Sequence, residues 1–401
     1  KKMCFKNSVT EINFIRGFSR EFLILIKILF VFGVDITYSA KAITSKLSKW
    51  ISVYQKLAAF IWITYVLYTA CALIIVDIPS ALRISQILPK KSYDVLAFCI
   101  WCSLRAKNRQ MANLLKGIYG LGINFNDKNR KLMLTVGLLT IIAVPLLTWC
   151  SLVLPFSENE CQKIVPFYLL GFHLSANGQS CQVLSTFMLL QYLLVIPLRI
   201  SFTVLYVILC RSLRYVLGLH SEAGVKMLGV ETRSLDYNCF RNYVEEYESI
   251  INVLKSLEKC LSFPIFLVQM SDCISMFYGF VNIDPFKNIS TYAYVGKYVP
   301  GGVFVSLWSI LSFLCASLAA TSVHEASELN KDVQERMLKW ILASGQKSDR
   351  EELFLMFLNH NSPAFTLSSG GFFRFTKSMI CSAIGCILTY SLLMLQILKW
   401  S

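Results

Sequence analysis

The sequence predicts an all-α membrane protein with seven transmembrane helices and a cytoplasmic N-terminus. Hydrophobic residues make up 55% of the 401 positions and charged residues only 16%, whereas a soluble chain typically carries about a quarter charged residues. The apolar residues cluster into runs of roughly 20, the length that a helix needs to cross about 30 Å of hydrocarbon. Lysine and arginine concentrate in alternate segments between these runs, and this asymmetry predicts the orientation.

Seven apolar runs are predicted to form the spans of one membrane domain covering residues 1–401. The second run is the shortest, and its helix can extend backward through residues 78–88. An eighth apolar stretch, 22–34, contains Lys27 and is too short to cross, so it is predicted to lie at the interface or to re-enter the membrane. The predicted spans are 57–76, 93–104, 132–156, 187–210, 261–283, 301–323 and 379–398.

The charge distribution predicts which loops face the cytoplasm. If the N-terminus lies inside, the four inside segments carry 31 of the 39 lysines and arginines, and the outside segments carry seven. The remaining one, Arg199, lies within the fourth span. Cytoplasmic loops carry the excess of basic residues, so the C-terminus is predicted to lie outside. Because these basic residues sit in short loops rather than on one face, nucleic-acid binding is not expected. The inside segments are 1–56, 105–131, 211–259 and 331–377.

Two features of the predicted outside loops agree with this orientation. Asn288 begins the one Asn-x-Ser/Thr sequon of the chain, where glycosylation is possible. Cys161 and Cys181 share one outside loop, where an oxidising environment would allow a disulfide. A chance sequon and two free thiols are the alternatives, and the sequence leaves both open.

Two inside segments, 211–260 and 324–377, are predicted to be helical extensions of the spans. Apolar residues recur at helical spacing from Tyr237 into the fifth span and from Ala326 to Ile341 after the sixth. Helices of roughly 45 residues reach about 68 Å, far more than a bilayer needs. Their inner ends are therefore expected to pack together in a cytoplasmic anchor region.

The last span, 379–398, carries a stripe of small and polar residues spaced four and three apart. An unpaired polar group in hydrocarbon is costly, so this stripe must face protein or water. It is either a packing seam between helices or a pore wall, with Leu392 as a hydrophobic constriction. The residues alone leave both interpretations open. The stripe comprises Ser378, Ser382, Gly385, Thr389, Leu392 and Gln396.

The C-terminal region resembles the arthropod gustatory receptor family. Thr389 and Tyr390 followed after five residues by Gln396 match the motif of that family's last span, and Phe365-Thr366 and Gly371-Phe372-Phe373 resemble its approach to the span. The chain departs from the family pattern at Ile397, where the family has Phe, and at Ser391, where it has a hydrophobic residue. The close match covers about 35 residues, and topology and length are similar over the whole chain.

The resemblance implies a relative of the insect odorant receptors, in which four subunits assemble and their last helices line one cation pore. It places the gate at Gln396 and Ile397. Replacing Phe by Ile at this position keeps a bulky apolar plug but removes an aromatic ring. The expected assembly is a homo- or hetero-tetramer in the plasma membrane, with small-molecule tastants, membrane lipids and permeating cations as partners.

A ligand site is predicted in the outer half of the bundle. Arg199 and Asp272 lie roughly 17 Å deep in the fourth and fifth spans, so they could form either a structural ion pair or a contact to ligand. Tyr192, Met276 and Trp308 project from the outer halves of three spans, as an aromatic-walled pocket requires. Span-end aromatics are also ordinary interfacial anchors.

These observations predict a ligand-gated, non-selective cation channel that acts as a gustatory receptor. The alternative is a metabotropic receptor of the G-protein-coupled type, but that class has its N-terminus outside and carries motifs that are not found here. A transporter would favour paired internal repeats, and no such repeats are evident in the sequence. An enzyme is not expected, because the spans lack a clustered catalytic set, and no cofactor or metal site is predicted.

Overall fold

The structure, a computed structural model, describes residues 19–36, 45–75, 84–122, 128–170, 180–229, 237–282, 299–343 and 363–400. These residues form a helical bundle with one short antiparallel β-hairpin. In chain order the elements are α1 (Arg20–Val31), α2 (Ser45–Ile75), α3 (Ile84–Ala106), α4 (Asn108–Gly120), α5 (Lys128–Leu152), α6 (Glu158–Tyr168), α7 (Ser180–Gly229), α8 (Tyr237–Asn282), α9 (Val299–Ala343), β1 (Ser368–Ser369), β2 (Phe373–Arg374) and α10 (Lys377–Trp400).

Each of the seven predicted spans lies, apart from a few end residues, within one helix: α2, α3, α5, α7, α8, α9 or α10. Within the described ranges, five helices are long and apolar enough to cross a membrane, and α10 adds a shorter apolar stretch, Lys377–Tyr390. The predicted all-α, multi-span fold is therefore confirmed. Helix α3 is less apolar because it contains Lys91, Asp94 and Arg105, and it extends backward to Ile84 as its short apolar run allowed.

Helix α7 forms the centre of the bundle, and α2 lies at its periphery. In the most apolar stretch of α7, 78% of the residues are buried, whereas the corresponding value for α2 is 11%. Helix α7 packs against α5, α8 and α9 and buries Phe202, Tyr206 and Leu209 completely or nearly so. Helix α2 instead exposes Phe60 and Leu67, as a lipid-facing helix does.

Helix α1 corresponds to the eighth apolar stretch of the sequence. Ser19 caps its N-terminus by accepting a hydrogen bond from the Phe22 backbone N–H. Four apolar side chains are buried where the helix packs on α5 and α7: Phe22, Leu25, Ile26 and Leu29. Its 12 residues span about 18 Å at 1.5 Å per residue, so α1 is too short to cross the hydrocarbon.

The far ends of α7, α8 and α9 pack together, and we call this end of the bundle the anchor end. The three helices have 50, 46 and 45 residues, so each extends well beyond a span. Gly224 allows the close approach, because an added Cβ would lie 2.5 Å from Val333 Cγ1 and 2.6 Å from Tyr243 Oη. The apolar anchor cluster comprises Phe240, Tyr243, Val244, Val333, Met337, Leu338 and Ile341.

The opposite end of the bundle is covered by α6, and we call it the disulfide end. Cys161 in α6 is joined to Cys181 at the start of α7, with their Cα atoms 5.1 Å apart. Around this pair α6 packs its apolar face on α5 and α7, through Val153, Ile164, Val165, Leu184 and Met188. The predicted glycosylation site, Asn288, lies outside the described residues.

Candidate ligand site and pore helix

Arg199 of α7 and Asp272 of α8 form an ion pair inside the bundle. Arg199 Nη2 lies 3.5 Å from Asp272 Oδ1, and the two side chains are 2% and 0% exposed. The guanidinium also donates to Ser271 Oγ at 2.8 Å and lies over the Tyr93 ring, 4.4 Å from its centroid. A hydrogen bond and a cation–π contact thus supplement the ion pair, which a buried charge requires.

A second polar group, which the sequence analysis missed, joins α3 to α7. The amide of Gln191 donates to both carboxylate oxygens of Asp94, at 3.1 and 3.0 Å. Tyr65 of α2 lies beside both side chains. Asp94 is 3% exposed and Gln191 is 5% exposed. Asp94 sits in the shortest predicted span, and an intramembrane carboxylate is the signal that could have identified it.

Lys91 extends this polar group toward the disulfide end. It is 2% exposed, and its Nζ lies 5.7 Å from the centroid of the Tyr68 ring and 5.6 Å from that of Tyr168. The Tyr68 hydroxyl donates to the Tyr168 carbonyl at 2.6 Å, which fixes the end of α6 to α2. Two aromatic faces therefore surround the ammonium group, an arrangement that favours a desolvated cation.

The three predicted pocket residues belong to more than one cluster of buried side chains. Tyr192 is partly buried between the main core and the disulfide-end cluster, and Trp308 packs on the main core. Met276 lies elsewhere, in a cluster with Phe313 of α9 and Ile380 of α10. Met276 is one helical turn from Asp272, so α8 connects the buried ion pair to the last helix.

Several buried polar atoms of this region have no hydrogen-bond partner among the described residues. They include Gln191 Oε1, Trp308 Nε1, Ser309 Oγ and both carboxylate oxygens of Asp272, which the ion pair with Arg199 holds without a hydrogen bond. Ser309 is completely buried, and burying such a group without a partner costs about 1–3 kcal/mol. Unsatisfied donors and acceptors near buried charges are a property of sites that receive a polar ligand or water.

The polar stripe of α10 faces away from its own bundle. The helix contacts α8 and α9 through Met379, Ile380, Ala383 and Ile387. All six stripe residues are exposed, and Thr389 Oγ1 donates to the Gly385 carbonyl at 2.8 Å. Ile397 belongs to α10, but its side chain lies outside the described part of the structure. The exposed stripe comprises Ser378, Ser382, Gly385, Thr389, Leu392 and Gln396.

The β-hairpin that precedes α10 is tied to both α8 and α9. Ser368 Oγ donates to Glu258 at 2.6 Å, and the Gly370 N–H donates to the Ser262 carbonyl at 2.9 Å. Gly370 has φ +59°, a conformation that favours glycine. The Phe372 ring stacks on Phe266 with centroids 4.4 Å apart. The hairpin thus links the start of α10 to α8.

Contacts to α9 complete this attachment. The Phe365 N–H donates to Ser327 Oγ at 3.0 Å, and Thr366 Oγ1 lies 3.1 Å from His324 Nδ1. Lys377, the first residue of α10, forms an ion pair with Glu325 at 2.6 Å. Phe365, Thr366 and Phe372, which in the sequence carry the family resemblance, share a position between three helices.

Comparison with known proteins agrees with this architecture. The chain is similar in fold to the insect olfactory receptor OR5 from Machilis hrabei, with a TM-score of 0.69 and 15% identity over 96% of this chain and 100% of that receptor. The same receptor in complex with eugenol gives a TM-score of 0.65, again at 15% identity over 96% of this chain and 100% of that one.

No curated protein sequence matches the chain. A family model described as the 7tm chemosensory receptor matches residues 22–399. The match extends from the start of α1 to the last turn of α10, so it includes both the buried polar groups and the exposed stripe. The chain therefore belongs to the 7tm chemosensory receptor family.

Proposed function

We propose that the protein is a gustatory-type chemoreceptor that opens a non-selective cation pore when a small molecule binds. The observation that carries the proposal is the exposed stripe of α10. The Gln396 amide would be costly to expose to hydrocarbon, and neither Gln396 nor Thr389 is covered by its own bundle. Four copies of α10 around a common axis would turn these groups toward water, with Leu392 and Ile397 narrowing the pore.

The family membership and the fold shared with an insect olfactory receptor support the same proposal. In the alternative to a pore, the stripes of neighbouring subunits would pack against each other and form a closed seam. The small residues Gly385 and Ser382 suit such a seam. Gln396 does not, because in a seam without water its amide would need a hydrogen-bond partner in the next subunit. A homo-tetramer and a hetero-tetramer with related receptors both fit the proposed pore.

The proposed ligand site is the buried polar region between α3, α7, α8 and α9. A small molecule there would meet unpartnered atoms of Gln191, Trp308 and Ser309. The OR5 receptor from Machilis hrabei has been solved in complex with eugenol, so a receptor of similar fold binds a small molecule. Displacement of α8 would reach α10 through Met276 and Ile380.

The proposed orientation places the disulfide end outside the cell and the anchor end in the cytoplasm. The excess of lysine and arginine in the segments at the anchor end supports it. So does the Cys161–Cys181 disulfide, because such bonds persist in oxidising compartments. The receptor would then sit in the plasma membrane, with the C-terminus outside and the pore helix running outward.

Substitution of the proposed constriction tests the pore. We expect Leu392→Ala to produce a cation current without ligand in oocytes, since removing the apolar side chain hydrates the narrow segment. Leu393→Ala is the matched control, because Leu393 is also exposed on α10 but is not part of the stripe. The current is measured with external Na⁺ and again with a large organic cation.

A pore formed by the protein itself would conduct when G proteins are blocked by injected GDP-β-S. At equal surface expression, a Leu392→Ala current no larger than that of Leu393→Ala would contradict the proposed pore. A current that appears but vanishes with GDP-β-S would favour the metabotropic alternative.

A further inference from the structure

The anchor end contains a buried histidine whose two ring nitrogens both have close oxygen neighbours. His220 of α7 is 7% exposed. Its Nδ1 lies 2.7 Å from Asn330 Oδ1 of α9, and its Nε2 lies 3.0 Å from the Tyr243 carbonyl oxygen of α8. The imidazole also stacks on the Tyr243 ring, with centroids 3.9 Å apart. One side chain thus connects the three long helices.

Both oxygen neighbours of the imidazole are acceptors. A backbone carbonyl can only accept. The Asn330 amide is oriented by its own nitrogen, because Nδ2 donates to the carbonyls of Leu217 and Ala326, each at 2.7 Å. Rotating the amide would turn Oδ1 toward two carbonyl oxygens and lose both hydrogen bonds. Oδ1 therefore faces His220 as an acceptor.

The protonation state of His220 decides how many of these contacts are hydrogen bonds. A neutral imidazole has one N–H, so it can donate to Asn330 or to Tyr243 but not to both. The remaining nitrogen would then present its lone pair to an oxygen lone pair. An imidazolium donates to both acceptors, and each of these hydrogen bonds is strengthened by the charge.

The groups around the imidazole remain uncharged near neutral pH. Burial raises the pKa of Tyr243 and of Tyr247, the two titratable side chains that α8 places against His220. Helix α9 contributes the neutral Asn330. Glu246, which acts electrostatically on Tyr243, is itself exposed. Within the described residues, His220 forms no ion pair with a carboxylate. Protonation of His220 would therefore change the charge of this cluster.

We propose that His220 is a proton-operated clasp between α7, α8 and α9. A proton taken up from the aqueous phase at the anchor end completes the second hydrogen bond and tightens the three helices. Loss of that proton as the pH rises removes one hydrogen bond and loosens them. The clasp goes beyond the proposed channel and does not depend on it. If the channel exists, acidification at the anchor end would raise the ligand concentration needed for opening.

Thermal unfolding of the purified full-length receptor in detergent tests the clasp. Between pH 5.5 and 7.5 we expect the wild-type Tm to fall by about 2–4 °C as the pH rises, and His220→Gln to lose most of this dependence. His324→Gln is the control, because His324 lies on α9, is 21% exposed and is paired with Glu328, so this variant should retain the pH dependence that His220 causes. An unchanged pH dependence in His220→Gln would overturn the proposal.

Hydrogen exchange keeps the proposal testable if His220→Gln does not fold. In the wild-type protein, corrected for intrinsic exchange rates, acidification from pH 7.5 to 5.5 should increase protection about tenfold in 237–250 and 326–337. Protection in 197–209, at the centre of α7, should stay constant. A uniform change across all three segments would overturn the clasp. Because neither measurement involves current, its failure is distinct from failure of the Leu392→Ala test.

Discussion

Two sets of buried polar groups on α9, one at the anchor end and one toward the disulfide end, differ in their hydrogen bonds. At the anchor end, the Asn330 amide makes three short contacts, and Ser327 Oγ contacts both the Tyr247 hydroxyl and the Phe365 N–H at 3.0 Å. Toward the disulfide end, Trp308 Nε1 and Ser309 Oγ are buried without a partner among the described residues. The same helix, α9, carries members of both groups.

This difference indicates a division of roles along α9. Fully paired polar groups fix one packing arrangement, because each alternative arrangement leaves a donor or acceptor unsatisfied. Unpaired groups give no such restraint and retain their capacity to bind a ligand. The paired groups at the anchor end are therefore suited to hold the helices together. The unpaired groups toward the disulfide end are suited to respond to a ligand. The predictions below test that division.

The largest effect is expected at the buried Arg199–Asp272 ion pair between α7 and α8. Asp272→Ala should destabilise the receptor by about 3–5 kcal/mol, because it leaves the buried Arg199 guanidinium without its counter-charge. The double variant Arg199→Met/Asp272→Leu, which removes both charges, should recover most of this loss. Thermal unfolding of the purified receptor and surface expression measure both variants.

The comparison between the single and double variants separates structure from ligand binding. A stable double variant that no longer responds to any small molecule active on the wild type would assign the pair a direct part in ligand contact. A double variant as unstable as Asp272→Ala would contradict the view that the uncompensated charge is the source of instability.

An intermediate effect is expected from two serines of α9. Both Ser327 and Ser309 are completely buried, but only Ser327 has hydrogen-bond partners among the described residues. Ser327→Ala should cost about 1–2 kcal/mol, because the Phe365 N–H loses its acceptor and Tyr247 its partner. Ser309→Ala should leave the free energy of unfolding unchanged or slightly raise it. Thermal unfolding of the two variants measures both effects. An equal loss of stability in the two variants would contradict the proposed difference between the paired and the unpaired serine.

Much of the fold could be predicted from the sequence because lipid restricts the possible structures. Runs of about 20 apolar residues can cross hydrocarbon only as helices or closed barrels, so hydropathy located the helices that became α5, α7, α8 and α9. Helical spacing also indicated the extensions at the anchor end. The weak point was α3, where Lys91 and Asp94 interrupt the apolar run and obscured residues that prove to be buried.

The candidate site could be predicted only in part. The depth of Arg199 and Asp272 along their helices follows from counting residues, and the structure joins them. The direction in which a side chain points depends on how the helices are rotated, which the sequence does not reveal for a helix that is apolar on all sides. Met276 was expected in the outer half of the fifth span, and its packing against Ile380 of α10 could not be predicted from the sequence. Partners brought in from another helix, such as Gln191 for Asp94, carry no local sequence signal.

The smallest effect is expected from the Lys377–Glu325 ion pair, although its 2.6 Å separation is among the shortest in the structure. The Glu325 carboxylate raises the pKa of Lys377, so any stabilisation is fully present at neutral pH and is lost only as the pH rises above the ordinary titration range of lysine. The Lys377 side chain is 78% exposed, and water and salt screen an exposed pair. Lys377→Gln and Glu325→Gln should each leave the Tm at 0.15 M salt unchanged. A clear fall in Tm in both variants, absent at 1 M salt, would show that an exposed contact also fixes the start of α10, and that α10 is restrained at its surface as well as by the buried anchor.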